Sequence, residues 1–302
     1  MEQAKGSPLL LPAAIQEESI PRQPSYVAMV ARNFLRHRTA LLGLIILITF
    51  AILSVIGPYI VPYDPAIIDL SARLQPPSAA HWFGTDELGR DILTRIIIGS
   101  RITLMITVFA VLIALVVGSL LGAIAGYYGG LVDAVISRFI DLLMTLPGFL
   151  LAVAIIAALG VGTLNVIIAV GVYSIPTFAR IARGSTLSVK SELYVLASVG
   201  LGAGDIWILR RHIAPNIVPP LIVQTSLRLA TAILTASGLS FLGLGPQPPT
   251  PEWGAMLASG RNFITSAPLL VLFPGLAIFF VALSFNLLGD GLRDALDPKT
   301  RK

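Results

Sequence analysis

The sequence predicts an all-α polytopic membrane protein with six transmembrane helices, and three observations predict it. Only 12% of its 302 residues are charged and 55% are hydrophobic, against about 25% charged in soluble domains. Mean hydropathy is +0.85. The apolar residues fall into uncharged runs long enough to cross a bilayer, which takes about 20 residues.

Taken in order, residues 1–38 are rich in Pro, Gln and Glu and read as a disordered cytoplasmic tail. The uncharged run 39–61 is the first span. Residues 62–101 form an extracytoplasmic segment, and residues 102–132 give the second span, ending in "GYYGG". The uncharged stretch 142–179 is too long for one crossing, and "GVGT" (Gly160 to Thr163) divides it into spans three and four. Span five covers about 217–239 and span six about 267–288, leaving 289–302 as a second tail. Of the 21 Lys and Arg, fifteen lie on the side of the termini, five lie opposite, and Arg228 lies inside a span. That asymmetry places both termini in the cytoplasm. The basic residues therefore read as topology signals. The net charge of +5 is no argument for nucleic acid.

Residues 184–216 break the apolar pattern with "GLGAGDIWILRRHIAPN". Residues before Gly200 suit one helix and those from Asp205 another, with Gly200, Gly202 and Gly204 supplying the turn. Asp205 suits a helix start, and Arg210, Arg211 and His212 a helix end, closed by Pro215 and Asn216. A long ordered loop is usually functional. Val195, Leu196 and Leu201 lack an evident core of their own, which predicts a cytoplasmic hairpin that docks on another protein.

Elsewhere, Gly118, Gly122 and Gly126 recur every four residues, making a smooth face for packing within the chain or against a second subunit. Arg228 lies near mid-membrane, where a charge costs at least about 2.5–3.5 kcal/mol on insertion scales. It should line a path, an interface or an internal pair. Asp141, three residues after Arg138, suits a local helix-end pair and is, with Arg228, a candidate for the translocation path. Residues 86–101 read as a short amphipathic helix with Asp91 and Arg95 at i,i+4 spacing. The proline-rich "GPQPPTPEWG" stiffens the second outer segment.

Cysteine is absent, which excludes disulfides and thiolate metal sites. His37, His81 and His212 all lie outside the spans, so an intramembrane Ser–His pair or a zinc centre is not available. No G-x-x-x-x-G-K-[ST] occurs. A secondary transporter would show inverted repeats, and none is evident.

The hairpin resembles the EAA motif of ABC importer permeases, the segment that docks into the ATP-binding subunit. Gly202 falls on the motif's central glycine, preceded by Tyr194, Val195 and Ala197, and "RRHIAPN" matches its basic-His-Pro-Asn ending. Leu196 stands where Glu is usual and Ser198 where a second Ala is. "HWFGTDELGRDILTRIIIGSRITL", "SFLGLGPQPPTPEWGAML" and "FNLLGDGLRDALDP" are similar to the C-type permease subunit of dipeptide, oligopeptide and nickel importers. "SIPTFARIARGSTL" is similar to its dipeptide and glutathione branch.

The resemblance implies a MetI-like, type I importer core over 102–288 with one extra N-terminal helix, in a bacterial inner membrane. It also implies a second permease subunit forming a heterodimer, two ATP-binding subunits carrying ATP and Mg, and an extracytoplasmic solute-binding protein. No cofactor would be bound by this chain. Asp86, Arg90, Asp91, Arg95 and Trp253 are then the expected docking residues on the outer face. Di- or oligopeptide is the first cargo expected, then glutathione, then nickel.

Overall fold

The computed structural model describes residues 26–296. Residues 1–25 of the predicted first tail and 297–302 of the second lie outside this range, and residues 289–296 of the second continue the last helix. The first described residues, however, form a helix, α1 (Tyr26–Arg36), which packs against the last helix and the first span. His37 follows it and pairs with Asp294 at 3.0 Å.

Five helices are long and apolar enough to cross a membrane: α2 (Arg38–Ile60), α3 (Ile92–Tyr128), α6 (Thr163–Lys190), α9 (Ala214–Phe241, with its N-terminal extension from Asp205) and α11 (Leu269–Leu296). A sixth span is reached when the bent pair α4 (Gly130–Met144) and α5 (Gly148–Leu159), which meet at 89°, is counted as one broken crossing. The expected straight span from residue 142 is thus broken. Pro147 disfavours helix at Leu146, and α5 alone is 12 residues, roughly 18 Å long. The turn expected at Gly160–Thr163 is present, with Gly160 and Gly162 at positive φ.

The core is built on α3 against α6. Gly118, Gly122 and Gly126 all face α6: a methyl at Gly118 would stand 2.7 Å from the Ile175 carbonyl, and one at Gly126 2.8 Å from that of Arg183. The glycine face therefore serves packing within the chain. Ile106, Ala110, Ala114, Phe178 and Ala182 fill the seam around it. A second cluster centres on Trp253, Ile92, Ile233, Val281 and Phe285, where α3, α9 and α11 meet α10 (Trp253–Gly260).

α2 stands apart. It packs mainly along α3 and α11, and 17% of its apolar stretch is buried against 56% for α6. Ile45, Ile52, Val55 and Tyr59 are exposed on its outer side. That is the arrangement of a peripheral helix added to a five-crossing core.

Candidate functional site: the hairpin and the polar groups between the spans

Past α6 the chain breaks at Ser191–Glu192 and forms α7 (Leu193–Gly200), a turn, and α8 (Asp205–Ile208). The turn is a Schellman closure. Gly202 N–H donates to Val199 O at 2.9 Å and Ala203 N–H to Ser198 O at 3.1 Å. Gly202 sits at φ +82° with open space around it, so the glycine is required by backbone conformation and not by crowding.

The second limb does not end at Arg210–His212 as expected. It continues through one π turn (Leu209–Ile213) into α9. Pro215 has no N–H and crowds the carbonyl four residues back, and a widened turn just before it relieves that crowding. The hairpin proper is therefore shorter than 184–216, because residues 184–190 belong to α6.

Side-chain contacts hold the two limbs together. Ser198 Oγ lies 3.1 Å from His212 Nε2, and the rings of Tyr194 and Trp207 meet the His212 ring edge-on. Asn216 Nδ2 donates to His212 O at 2.6 Å and to Tyr194 OH at 3.3 Å. At the base, Tyr127 OH donates to Asp205 Oδ1 at 2.9 Å and Lys190 Nζ to Tyr127 O at 2.5 Å. Val195, expected at the exposed tip, is 1% exposed and belongs to the core with Ile208 and Ile213. Leu201 is 89% exposed, and Leu193, Leu196, Val199 and Ile206 are exposed with it. Ala197, Arg210, Arg211, Pro215 and Asn216 are also on the surface. The result is a fixed apolar rim on a buried underside. Trp207, Tyr127 and Lys190 were not singled out from sequence, and Ser198 was noted only as a substitute for a motif Ala. Their only signal was that each polar or aromatic group lies near a charged end of an apolar run.

Within the membrane region, Arg228 is partly buried. It donates to Tyr173 OH at 3.4 Å and to Thr177 Oγ1, and its guanidinium lies 5.8 Å from the Tyr173 ring centre. Asp141 pairs with Arg180 across helices at 2.9 Å, and not with Arg138. Asp133 accepts a bidentate pair from Arg183 at 2.5 and 2.6 Å. These two ion pairs border a cavity of about 330 Å³ between α3, α4 and α6. Residues 138 and 141 share α4, whose turned direction aims Asp141 at α6.

The outer segment differs from expectation. Residues 84–91 are a loop, and helix starts only at Ile92. Gly89 at φ +78° breaks the pattern, and the Asp86 carboxylate accepts from the N–H groups of Leu88 and Arg90. Asp91 caps α3 by accepting from Thr94 N–H at 2.7 Å, and it pairs with His81 at 3.0 Å. The Asp91–Arg95 pair is therefore not made. Arg95 instead meets Asp86 at 3.4 Å and donates to the carbonyls of Pro65 and Pro249. Arg90 also pairs with Asp86, at 2.7 Å.

Asp86, Arg90, Asp91, Arg95 and Trp253 are all buried. As a correction to the expected exposed docking face, none of them offers an exposed side chain in this structure. They are the internal scaffold that joins the first outer segment to the proline-rich one. Glu252, fully buried, accepts from the N–H groups of Gly254 and Ala255 at 3.0 and 2.9 Å. Burial pushes its carboxyl above the usual carboxylate range, against the lowering pull of those amides.

Comparison with known proteins fits this architecture. Residues 118–302 match the family described as binding-protein-dependent transport system inner membrane component, and residues 25–77 match the N-terminal TM domain of oligopeptide transport permease C. A dipeptide transport system permease protein of Alkalihalophilus pseudofirmus is 44% identical over the whole of both chains. A glutathione transport system permease protein of Shigella flexneri is 48% identical over 89% of each.

Two solved transporters share the fold at low identity. An inward-facing MetNI methionine ABC transporter has TM-score 0.54 and 17% identity over 67% of this chain and 96% of that one. An amino acid ABC transporter with histidines has TM-score 0.51 and 16% identity over 66% and 92%. Those two align with about two thirds of the chain. The peripheral N-terminal span, the glycine-packed core and the closed hairpin are thus the parts of a permease, and the chain belongs to the binding-protein-dependent transport system inner membrane components, in their C-type branch.

Proposed function

We propose that this chain is one permease subunit of an ATP-driven importer of di- and oligopeptides, working beside a second, non-identical permease subunit. Two ATP-binding subunits carrying ATP and Mg would engage the hairpin from the cytoplasm, and a solute-binding protein would deliver cargo on the opposite side. Both termini are then cytoplasmic, in keeping with the Lys/Arg asymmetry.

One observation carries the reading. The hairpin is closed, cross-bonded and buried beneath, yet presents Leu193, Leu196, Leu201 and Ile206 to solvent. An ordered apolar rim of that kind marks a protein contact. Its tie to α3 through Tyr127 and Asp205 transmits displacement to the core. A glutathione cargo is the second reading, favoured by the 48% identical relative.

Two measurements test it. The chain has no cysteine, so Leu201→Cys gives a unique thiol. In inside-out vesicles it should crosslink to an ATP-binding subunit. Labelling from the external face alone, or no link, would refute the docking. Cells carrying the whole system should take up labelled dipeptide faster than cells lacking this chain, and equal rates would refute the cargo.

A further inference from the structure

Arg228 is the one charge inside the α9 crossing, and among the described residues no carboxylate lies within 4.0 Å of its guanidinium. Two acids on the neighbouring helix α4 are already paired: Asp141 with Arg180 and Asp133 with Arg183. Its neighbours are two hydroxyls and the Tyr173 ring, which orient a cation without neutralising it.

Arg228 is also part of a pattern. Gln224, Arg228, Thr231 and Thr235 follow one another at spacings of four, three and four, which places them on one face of α9. None of the four is buried, and Thr231 is exposed. Tyr173 and Thr177 continue that polar strip onto α6. A polar strip on a crossing helix does not face lipid; it faces water or protein.

We infer that this strip is a wall of the translocation path and that Arg228 is the cation that meets the carboxylate of the passing cargo. The inference rests on the function proposed above and adds to it the chemical feature recognised, a free carboxylate on a peptide-like solute. Such a group would complete the charge pairing that the chain leaves open, through a charge-assisted bond to a guanidinium already oriented by Tyr173 and Thr177. The pairing has to be weak enough to release, and a single Arg shared with two hydroxyls suits transient contact.

The test uses the assembled transporter in proteoliposomes, with Thr231→Cys or Thr235→Cys in this cysteine-free chain. Anionic and cationic methanethiosulfonates of similar size probe the thiols, read on this chain by mass. Both positions should react from water, with the anionic reagent favoured. Adding Arg228→Gln should lower the anionic-to-cationic rate ratio about fivefold, while Arg228→Lys should keep it.

A dipeptide should slow the anionic reagent more than its C-terminal amide does, and Arg228→Gln should erase that difference. Unreactive thiols, a ratio unmoved by Arg228→Gln, or equal protection by acid and amide would each overturn the inference. Wild-type transporter that takes up no dipeptide would instead overturn the proposed function, since the reagent ratio reads the wall without transport.

Discussion

The closest backbone approach between α3 and α6 makes the sharpest prediction, for Gly122→Ala. A Cβ at Gly122 would stand 2.9 Å from both the Ala179 carbonyl carbon and the Ala182 Cβ, and closer still to the Ala179 oxygen. Ordinary contact begins near 3.4 Å, so α3 and α6 must part by about 0.5–1 Å along the seam. A gap of that size forfeits a quarter to a half of each dispersion well, at about 0.1–0.2 kcal/mol per atom pair. The pairs around Gly118, Gly122 and Gly126 then bring the loss into the range of about 1–3 kcal/mol typical of overpacking. Gly184→Ala is the control: its Cβ would meet nothing within 4 Å, and helix propensity alone favours alanine by roughly 0.5–1 kcal/mol. Thermal unfolding of the solubilised transporter should therefore move down for Gly122→Ala and stay level or rise for Gly184→Ala. Equal midpoints for the two variants would refute the claim that backbone-to-backbone approach holds this core.

Further expectations concern the hairpin, the outer segment and α4. Gly202→Val forces a β-branched residue to φ +82°, which costs about 1–2 kcal/mol; ATP hydrolysis should persist while uptake falls, and full uptake would refute the hairpin's coupling role. Burial raises the Glu252 carboxyl in the native state, so between its unfolded and native values the folded chain holds a proton that the unfolded chain has lost. Stability from this group is therefore fully present below the ordinary carboxylate value and lost as pH rises through the raised one. Glu252→Gln should flatten that slope in unfolding midpoints measured against pH, and an unchanged slope would count against it. A double-mutant cycle of Asp133→Asn and Arg183→Gln should yield about 0.5–1 kcal/mol of coupling in detergent, since the pair is bidentate but partly exposed; additivity would show that α4 is held by its apolar contacts alone.

Much of this architecture was legible because lipid forces a simple code. Uncharged runs located the crossings, the Gly160–Thr163 turn was read correctly, and the glycines at 200–204 marked the bend that Gly202 closes. What escaped the sequence was geometry that depends on a second element. The break near Pro147 turned a crossing into a bent pair. Asp91 was counted as half of an ion pair, yet its carboxylate is taken by the first turn of α3. Val195 looked like a tip residue because spacing alone does not say which face of an eight-residue helix meets the core. Arg228 was flagged by its depth, but its company of Tyr173 and Thr177 arises from another helix altogether.

The π turn before Pro215 has a mechanical consequence. By keeping the chain helical from Asp205 to Phe241, it joins the hairpin's second limb and the segment bearing Arg228 in one continuous helix, with Pro219 and Pro220 between them. The 23 residues between Asp205 and Arg228 measure about 35 Å along its axis. If the proposed function holds and the helix moves as one body, a tilt of roughly ten degrees at the hairpin end sweeps the guanidinium by about 6 Å, and any bend at Pro219 and Pro220 takes up part of that sweep.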